Sequence, residues 1–205
     1  MQWKKILPFL LIIILISYCG TIPEIHYYLI DYSLEPVNIE NAKHQIILGI
    51  EKIDSEPQYS GEQIVYRDSP YEIKFYNYHR WITSPKKIVT EKVIEQFASS
   101  KLFKHVVQFP QVSKIDYLLR GTIKAFEEWD EGDEWYAHVQ LYFELIAVKE
   151  GTICWQGTVT KKTKVARKKP IEMVRSIGVS LRACIKEAIE RVDQKLSQLS
   201  ESGSL

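Results

Sequence analysis

The chain has 205 residues, 45% of them hydrophobic and 26% charged, with a net charge of +1. This length suits a single domain whose core is large enough to hold without disulfide or metal staples. A charge balance so close to zero excludes the strong basic excess of a nucleic-acid binder, and without Lys4 and Lys5 it would be −1.

Lys4 and Lys5 precede an apolar run of 11 residues, Ile6–Ile16. A helical membrane span needs about 20 apolar residues, so the run is too short. A basic start with a short apolar centre is the layout of a secretory signal. The run is apolar on every side and polar residues follow at once, which argues against an amphipathic core helix. Cys19 at its end resembles a bacterial lipobox, in which the thiol is acylated with diacylglycerol and the chain is cut just before it. Ile16 and Ser17 suit the third and second positions before the cysteine, whereas Tyr18 stands where a small residue is usual. An uncleaved N-terminal anchor and an ordinary signal cut near Gly20 stay open beside the lipoprotein reading. The expected division is a signal peptide over 1–18, a tether over 19–24, one domain over 25–199 and a disordered tail over 200–205.

Ile25–Tyr32 is rich in tyrosine and isoleucine and predicts a strand, followed by the polar stretch Ser33–Ala42. Gln45–Ile53 is a long apolar run and predicts a central strand buried on both faces. Ser55–Gly61 reads as a loop. Gln63–Arg67 and Tyr71–Asn77 predict a hairpin turning at Asp68-Ser69-Pro70. Ser84 as a cap and Pro85 at the first helical position open a helix, with Val89, Val93 and Phe97 as one apolar stripe. It is expected to end near Ser99.

Val106–Phe109 predicts a short strand closed by Pro110. Residues 115–165 predict a three-stranded meander whose first strand is Leu118–Phe126 and whose first turn is Trp129–Asp133. Along Tyr136–Val148 the residues Val139, Leu141, Phe143, Leu145 and Ala147 alternate onto one face. A three-residue turn, Lys149–Gly151, sets Leu145 opposite Trp155, Leu141 opposite Val159 and Ala147 opposite Ile153, and keeps the apolar side chains on one face. From Pro170, Ile171, Val174, Ile177, Leu181, Ile185, Ile189, Val192, Leu196 and Leu199 recur every three or four residues. They predict a one-sided helix of about 28 residues, roughly 42 Å long. The expected fold is therefore a single α+β domain: a mixed, mostly antiparallel sheet with two main helices, about 84–99 and 170–199, packed on it.

Cys154 and Cys184 could pair in an oxidising compartment, but both positions suit small buried hydrophobes better. No cysteine pair has metal-ligand spacing. The five histidines, His26, His44, His79, His105 and His138, have no paired spacing, so neither a catalytic set nor a metal centre or other cofactor site emerges. His138, in a strand, reads as structural. Glu127, Glu128, Asp130, Glu131, Asp133 and Glu134 crowd the first meander turn. Lys161, Lys162, Lys164, Arg167, Lys168 and Lys169 follow the third strand. The basic run is a candidate headgroup or acidic-partner contact. The meander topology also lets the two clusters offset each other, bringing Asp133 near Arg167. Tyr78–Trp81 is either an interaction hot spot built on Arg80 and Trp81 or a tryptophan packed under the helix start.

The order of these features resembles the ABC-type transport auxiliary lipoprotein family. It is carried by the lipobox-like Cys19, "HYYLIDY", "EQIVYRDSPYEIKFYNYHRWITSP", "DYLLRGTIKAFE" and the final long helix, and most specifically by "QIVYR" at Gln63–Arg67 and "HRW" at His79–Trp81. That resemblance implies a non-enzymatic lipoprotein held on the periplasmic side of the outer membrane, working with an MCE-domain protein and an ABC permease and ATPase in lipid transport between membranes. It marks Cys19 as the lipid attachment and Arg67, Arg80 and Trp81 as motif positions without an assigned chemical role, and these three are the candidate partner-binding residues. It leaves a homo-oligomer open. A structural lipoprotein assisting an outer-membrane or cell-wall machine is the alternative.

Overall fold

The computed structural model describes residues 23–34, 41–111 and 114–202. In chain order the elements are β1 (His26–Tyr28), β2 (His44–Ile50), β3 (Asp54–Ser55), β4 (Gln63–Ser69), β5 (Glu72–Trp81), α1 (Pro85–Ser99), β6 (Phe103–Gln108), β7 (Tyr117–Glu131), β8 (Glu134–Ala147), β9 (Thr152–Lys164) and α2 (Pro170–Glu201). A 3₁₀ turn at Pro57–Tyr59 links β3 to β4. The signal segment, Cys19 and the end of the tail lie outside the described residues.

β7 is the spine of a nine-stranded sheet. One of its edges pairs with β8 from Tyr117↔Ala147 to Glu131↔Glu134. The other edge is shared by three parallel strands in turn: β2 at Tyr117–Leu119, β3 at Thr122–Ile123 and β4 at Glu127–Trp129. β6 extends the sheet beyond β2, β5 and β1 extend it beyond β4, and β9 lies outside β8. The long antiparallel ladders hold most of the paired residues, as expected of a meander. Short parallel pairings are nonetheless numerous, because β1, β2, β3, β4 and β6 all reach their neighbours through crossovers.

Both helices cover one face. The predicted stripe of α1 is buried without exception, with Val89, Val93 and Phe97 at 0% exposure. Ser84 stands at its N-cap but caps through its backbone, its carbonyl accepting the N–H groups of Lys87 and Ile88 at 3.0 and 3.2 Å. The stripe of α2 from Val174 to Leu196 packs on β8 and β9, leaving Ile171 exposed. Val139, Leu141, Phe143 and Leu145 meet it with no exposure.

The register of β8 and β9 matches expectation at Leu145↔Trp155 and Leu141↔Val159 but is reached differently. The loop is one residue longer, since Ala147 pairs with Thr152, and Ile146 rather than Ala147 faces Ile153. A bulge at Cys154 absorbs the extra residue and restores the pairing. Gly151 takes φ +66 in that loop, the left-handed conformation glycine tolerates. Cys154 and Cys184 are free. Each acts as a weak donor to the sheet, Cys154 to the Leu145 carbonyl at 3.2 Å and Cys184 to that of Val139 at 3.5 Å.

Several boundaries differ from the sequence reading. β1 is only three residues long, because from Leu29 the chain leaves the sheet and straps across the helices. Ile30 packs near Gly178, and Gln96 Nε2 donates to the Tyr32 hydroxyl at 2.7 Å. β2 stops at Ile50, and the Ile53 N–H donates to Thr90 Oγ1 of α1 at 2.9 Å. The expected loop after it carries β3 and the 3₁₀ turn. The β4–β5 turn is Pro70-Tyr71, since Ser69 pairs with Glu72. β5 then runs through Trp81, and β6 starts at Phe103. β7 passes straight through the acidic run, and only Gly132-Asp133 turn.

Candidate functional site

The stretch Glu127–Glu131 would be a poor strand by propensity. It forms one because the sheet supplies partners for its acids on both faces. Strand alternation puts Glu127, Trp129 and Glu131 on the face away from the helices and Glu128 and Asp130 on the helix side. In register on the open face stand Val65 and Arg67 of β4, Tyr136 and His138 of β8, and Lys162 and Lys164 of β9.

Glu127 is the hub of this face, with its carboxylate fully buried. Its Oε1 accepts from Arg67 Nη2 and lies 3.3 Å from His138 Nδ1, while Oε2 accepts from the Tyr59 hydroxyl at 2.5 Å. Burial alone would raise the pKa of this carboxyl, but the hydrogen bonds from His138, Arg67 and Tyr59 outweigh it and hold the group below the usual carboxylate range. Tyr59, brought over by the 3₁₀ turn, is itself buried and its pKa is pushed up, by desolvation and then by Glu127.

Outward of this hub sits a basic and aromatic platform. The Arg67 guanidinium stacks 4.7 Å from the Trp129 ring. Lys162 Nζ lies 5.6 Å from the same ring and 4.5 Å from that of Tyr136, and pairs with Glu131. Lys164 pairs with Glu134. The cations and acids of the platform balance locally, Lys162 against Glu131 and Lys164 against Glu134. Trp129 is half-buried and Lys162 exposed, so both can meet a partner. Both Glu127 oxygens are engaged, Oε1 by Arg67 and His138 and Oε2 by Tyr59.

On the helix side the same strand carries a second acid pair. Glu128 is fully buried and accepts from the Tyr76 hydroxyl at 2.9 Å. Desolvation first, and then its hydrogen-bonded neighbour Asp130, push its pKa up to about 8. Asp130 is also raised, chiefly by desolvation. One oxygen of each carboxyl, Glu128 Oε2 and Asp130 Oδ1, finds no ordinary donor. A proton shared between the two carboxyls accounts for both.

The residues singled out in the sequence are dispersed. Arg67 and Lys162, from two different groups, meet on Trp129. Arg80 lies on β5 between Tyr27 and Gln63, with its Nε buried and unpartnered. Trp81 is 1% exposed and packs 5.2 Å from Phe126, so it offers no surface while the fold holds. Lys161 points to the helix face and pairs with Glu187 at 2.7 Å. Arg167 pairs with Glu172 at 3.7 Å rather than approaching Asp133, because the chain turns away from the sheet beyond Val165 toward α2. Lys168 and Lys169 are exposed just before α2, and Lys168 acts electrostatically on the acid pair. Tyr59, Glu127 and Trp129 join the site without having been candidates in the sequence. For Glu127 and Trp129 the signal is E-x-W-x-E at alternate positions, legible once the strand is carried through the acids, whereas nothing in the sequence marks Tyr59.

A separate cleft of about 780 Å³ lies between α1, the link from β2 to β3 at Glu51–Ile53, and β7. Its charges are largely paired, Lys86 with Asp54 at 3.0 Å and Arg120 with Glu51 at 2.7 Å. Among the described residues no group of three metal-ligating side chains occurs and no helix is long and apolar enough to cross a membrane.

A profile of the ABC-type transport auxiliary lipoprotein component family matches residues 28–186. Among solved structures, the chain is similar to a Xanthomonas campestris protein of the DUF330 family, with a TM-score of 0.77 and 17% identity, covering 86% of this chain and 99% of that one. A second similar structure, of an uncharacterized protein, has a TM-score of 0.66 and 15% identity, covering 83% and 99%. A hypothetical protein of Chlamydia trachomatis reaches 0.50 at 6% identity, covering 73% and 96%. No functionally curated protein matches the sequence. Identities this low establish shared fold alone.

Proposed function

The chain belongs to the ABC-type transport auxiliary lipoprotein component family, and on that premise we propose that it is a docking subunit of an intermembrane lipid transport system. In this reading Cys19 carries the lipid that holds the domain on the periplasmic side of the outer membrane. An MCE-domain protein is the direct partner, and the ABC permease and ATPase complete the system. The role is contact and positioning rather than catalysis.

The observation that carries this reading is the open-face platform. Arg67, a position of the family-like "QIVYR" stretch, is pinned by buried Glu127 and laid on Trp129 beside Lys162. Tryptophan and arginine held rigid in this way are the residue types that dominate protein–protein hot spots. Of the basic run, whose first three lysines close β9, only Lys162 lies over the aromatic rings, while Lys161 pairs with Glu187 on the helix face and Lys164 pairs with Glu134.

The test is capture of the MCE-domain protein encoded in the same genome, from membranes solubilised in gentle detergent. The wild-type chain is expected to retain it, and Trp129→Ala to lose at least about tenfold in capture, the equivalent of a hot-spot side chain. Equal capture by both chains would remove the platform from the interface. No capture by the wild type would sink the docking role. The mass of the mature N-terminus checks the anchor, because an intact Met1 excludes a lipid on Cys19.

A further inference from the structure

The outward side chains of β1 and the end of β5, with their flanking residues, form a mostly apolar row at the sheet edge, interrupted by Arg80. His26, Tyr28 and Ile30 turn inward: His26 stacks on His79, Tyr28 Oη bonds His79 at 2.9 Å and Ile30 is buried. Alternation within β1 therefore turns Tyr27 the other way, at 53% exposure, and its flanking neighbours Ile25 and Leu29 are 39% and 60% exposed. The register sets Tyr27 beside Arg80, and the Ile82 N–H donates to the Tyr28 carbonyl at 2.7 Å. Tyr78 and Ile82, at 44% and 57% exposure, thus share the face of Tyr27, with Arg80 between them. At Leu29 the chain leaves the sheet toward the helices, and Leu29 lines a cleft with Ile171 and Val179 of α2, both exposed, and with Arg175 and Arg182.

A row of exposed isoleucine, leucine and tyrosine is unusual on a protein that meets only water. What covers it follows from chain length. Ile25 stands six positions after Cys19. At about 3.6 Å per residue that stretch reaches no farther than about 22 Å, less than the thickness of a bilayer's hydrocarbon core. β9, five strands away across the sheet, stands about 24 Å farther off at about 4.8 Å per strand.

We infer that this row, Ile25, Tyr27, Leu29, Tyr78 and Ile82, is a second and non-covalent membrane contact. It rests on a phospholipid surface and fixes the orientation of the domain beside its anchor. The inference builds on the reading of Cys19 as the anchor. Tyrosine suits the headgroup level, and the aliphatic side chains suit the acyl boundary beneath it. The charges around the row are mixed, with Glu24 and Asp31 set among Arg80, Arg175 and Arg182. Apolar burial rather than electrostatic attraction therefore drives the contact, and neither salt nor anionic lipid content governs it. With the β1–β5 edge on the membrane, the β9 edge of the sheet points away from it.

The test uses the full chain, processed in its host membrane and reconstituted into phosphatidylethanolamine–phosphatidylglycerol vesicles containing a lipid with a diazirine on its acyl chain. After illumination, lipid adducts are mapped by peptide mass spectrometry, and the mass of the N-terminal peptide is read from the same sample. Adducts are expected in 25–29 and 78–82 at least about tenfold above those in 152–164, unchanged by salt or by removal of phosphatidylglycerol. The double variant Tyr27→Glu, Leu29→Glu should lose the adducts at 78–82 while its N-terminal peptide differs from wild type only by the two substitutions. A diacylated Cys19 with no adducts in either segment overturns the contact and leaves the anchor standing. Adducts in both segments with an unmodified Cys19 uphold the contact and overturn the anchor. Protein–protein crosslinks between the rows of two chains, without lipid adducts, assign the row to a second copy and overturn the inference.

Discussion

Glu128 and Asp130 lie two residues apart on the helix-covered face of β7, their carboxyls within hydrogen-bonding reach and each with one oxygen that no ordinary donor serves. Tyr76 donates to Glu128, while Asp68, Lys74 and Lys168 act on the pair through space. A buried acid and a half-buried one this close share a proton rather than both ionise.

That sharing makes stability fall as pH rises. The Glu128 pKa is near 8 in the fold, against 4.5 for an ordinary glutamate. Between those values the unfolded chain has released a proton that the native chain still holds. Stability therefore drops across that window, by about 1.4 kcal/mol per pH unit at its steepest, and levels off above it. His79 acts in the opposite sense near its own ordinary range, because burial and then His26 lower its pKa and the unfolded chain binds its proton better. The clean readout is thus the difference between wild type and Glu128→Gln, an amide that stays neutral and can donate to Asp130. Denaturant midpoints should coincide near pH 5 and favour the variant increasingly up to pH 8. Parallel profiles for the two chains would rule out the shared proton.

Arg67 is the strongest partner of a carboxylate that has no access to water. Arg67→Ala should cost about 3 kcal/mol, the lower end for breaking a buried ion pair, because Tyr59 and His138 still serve Glu127. Arg67→Lys keeps the charge but loses the planar group that stacks on Trp129, and should recover about half of that loss. Because the fold holds the Glu127 pKa below the usual range, its contribution is present above about pH 4.5 and disappears as pH falls through the folded value. Equilibrium urea unfolding of the two variants at pH 7 and pH 4 measures both effects. Equal stability of Arg67→Ala and wild type at pH 7 would show that Glu127 is not the hub of the open face.

The sequence is most legible where periodicity and burial coincide. The stripes of both helices and the β8 alternation can be read from it because each obeys one period against one core face. The acidic segment reads as a turn because strand propensity counts single residues, whereas Glu127 and Glu128 are made acceptable by Arg67, Tyr59, His138 and Tyr76, which arrive from other parts of the sheet. The platform on Trp129 is hidden for the same reason. Arg67, Trp129 and Lys162 stand far apart in the chain and meet only through the parallel pairing of β4 with β7 and the antiparallel pairings of β8 with β7 and β9. The three-residue β1 shows the converse, since "HYYLIDY" has strand propensity throughout but β5 supplies a partner only as far as Trp81.

The bulge at Cys154 separates the loop after β8 from the ladder beyond it. Residues on either side of the bulge, Ile153 and Trp155, already face consecutive residues of β8, Ile146 and Leu145. Removing Cys154 therefore joins them into a regular ladder and leaves every pairing from Trp155 to Lys164 unchanged. The thiol's hydrogen bond to the Leu145 carbonyl, at 3.2 Å, is a weak one, so deletion of Cys154 should cost about 1 kcal/mol or less. Removing Val159 instead takes out a fully buried side chain and slides one end of β9 by a residue, which turns its apolar positions toward water. Circular dichroism melts should show the Cys154 deletion folded within a few degrees of wild type and the Val159 deletion unfolded or far less stable, since about 1 kcal/mol shifts the midpoint of a domain this size by about 2–4 °C. Comparable losses for the two deletions would mean that the bulge is itself a required part of the strand rather than a residue absorbed between loop and ladder.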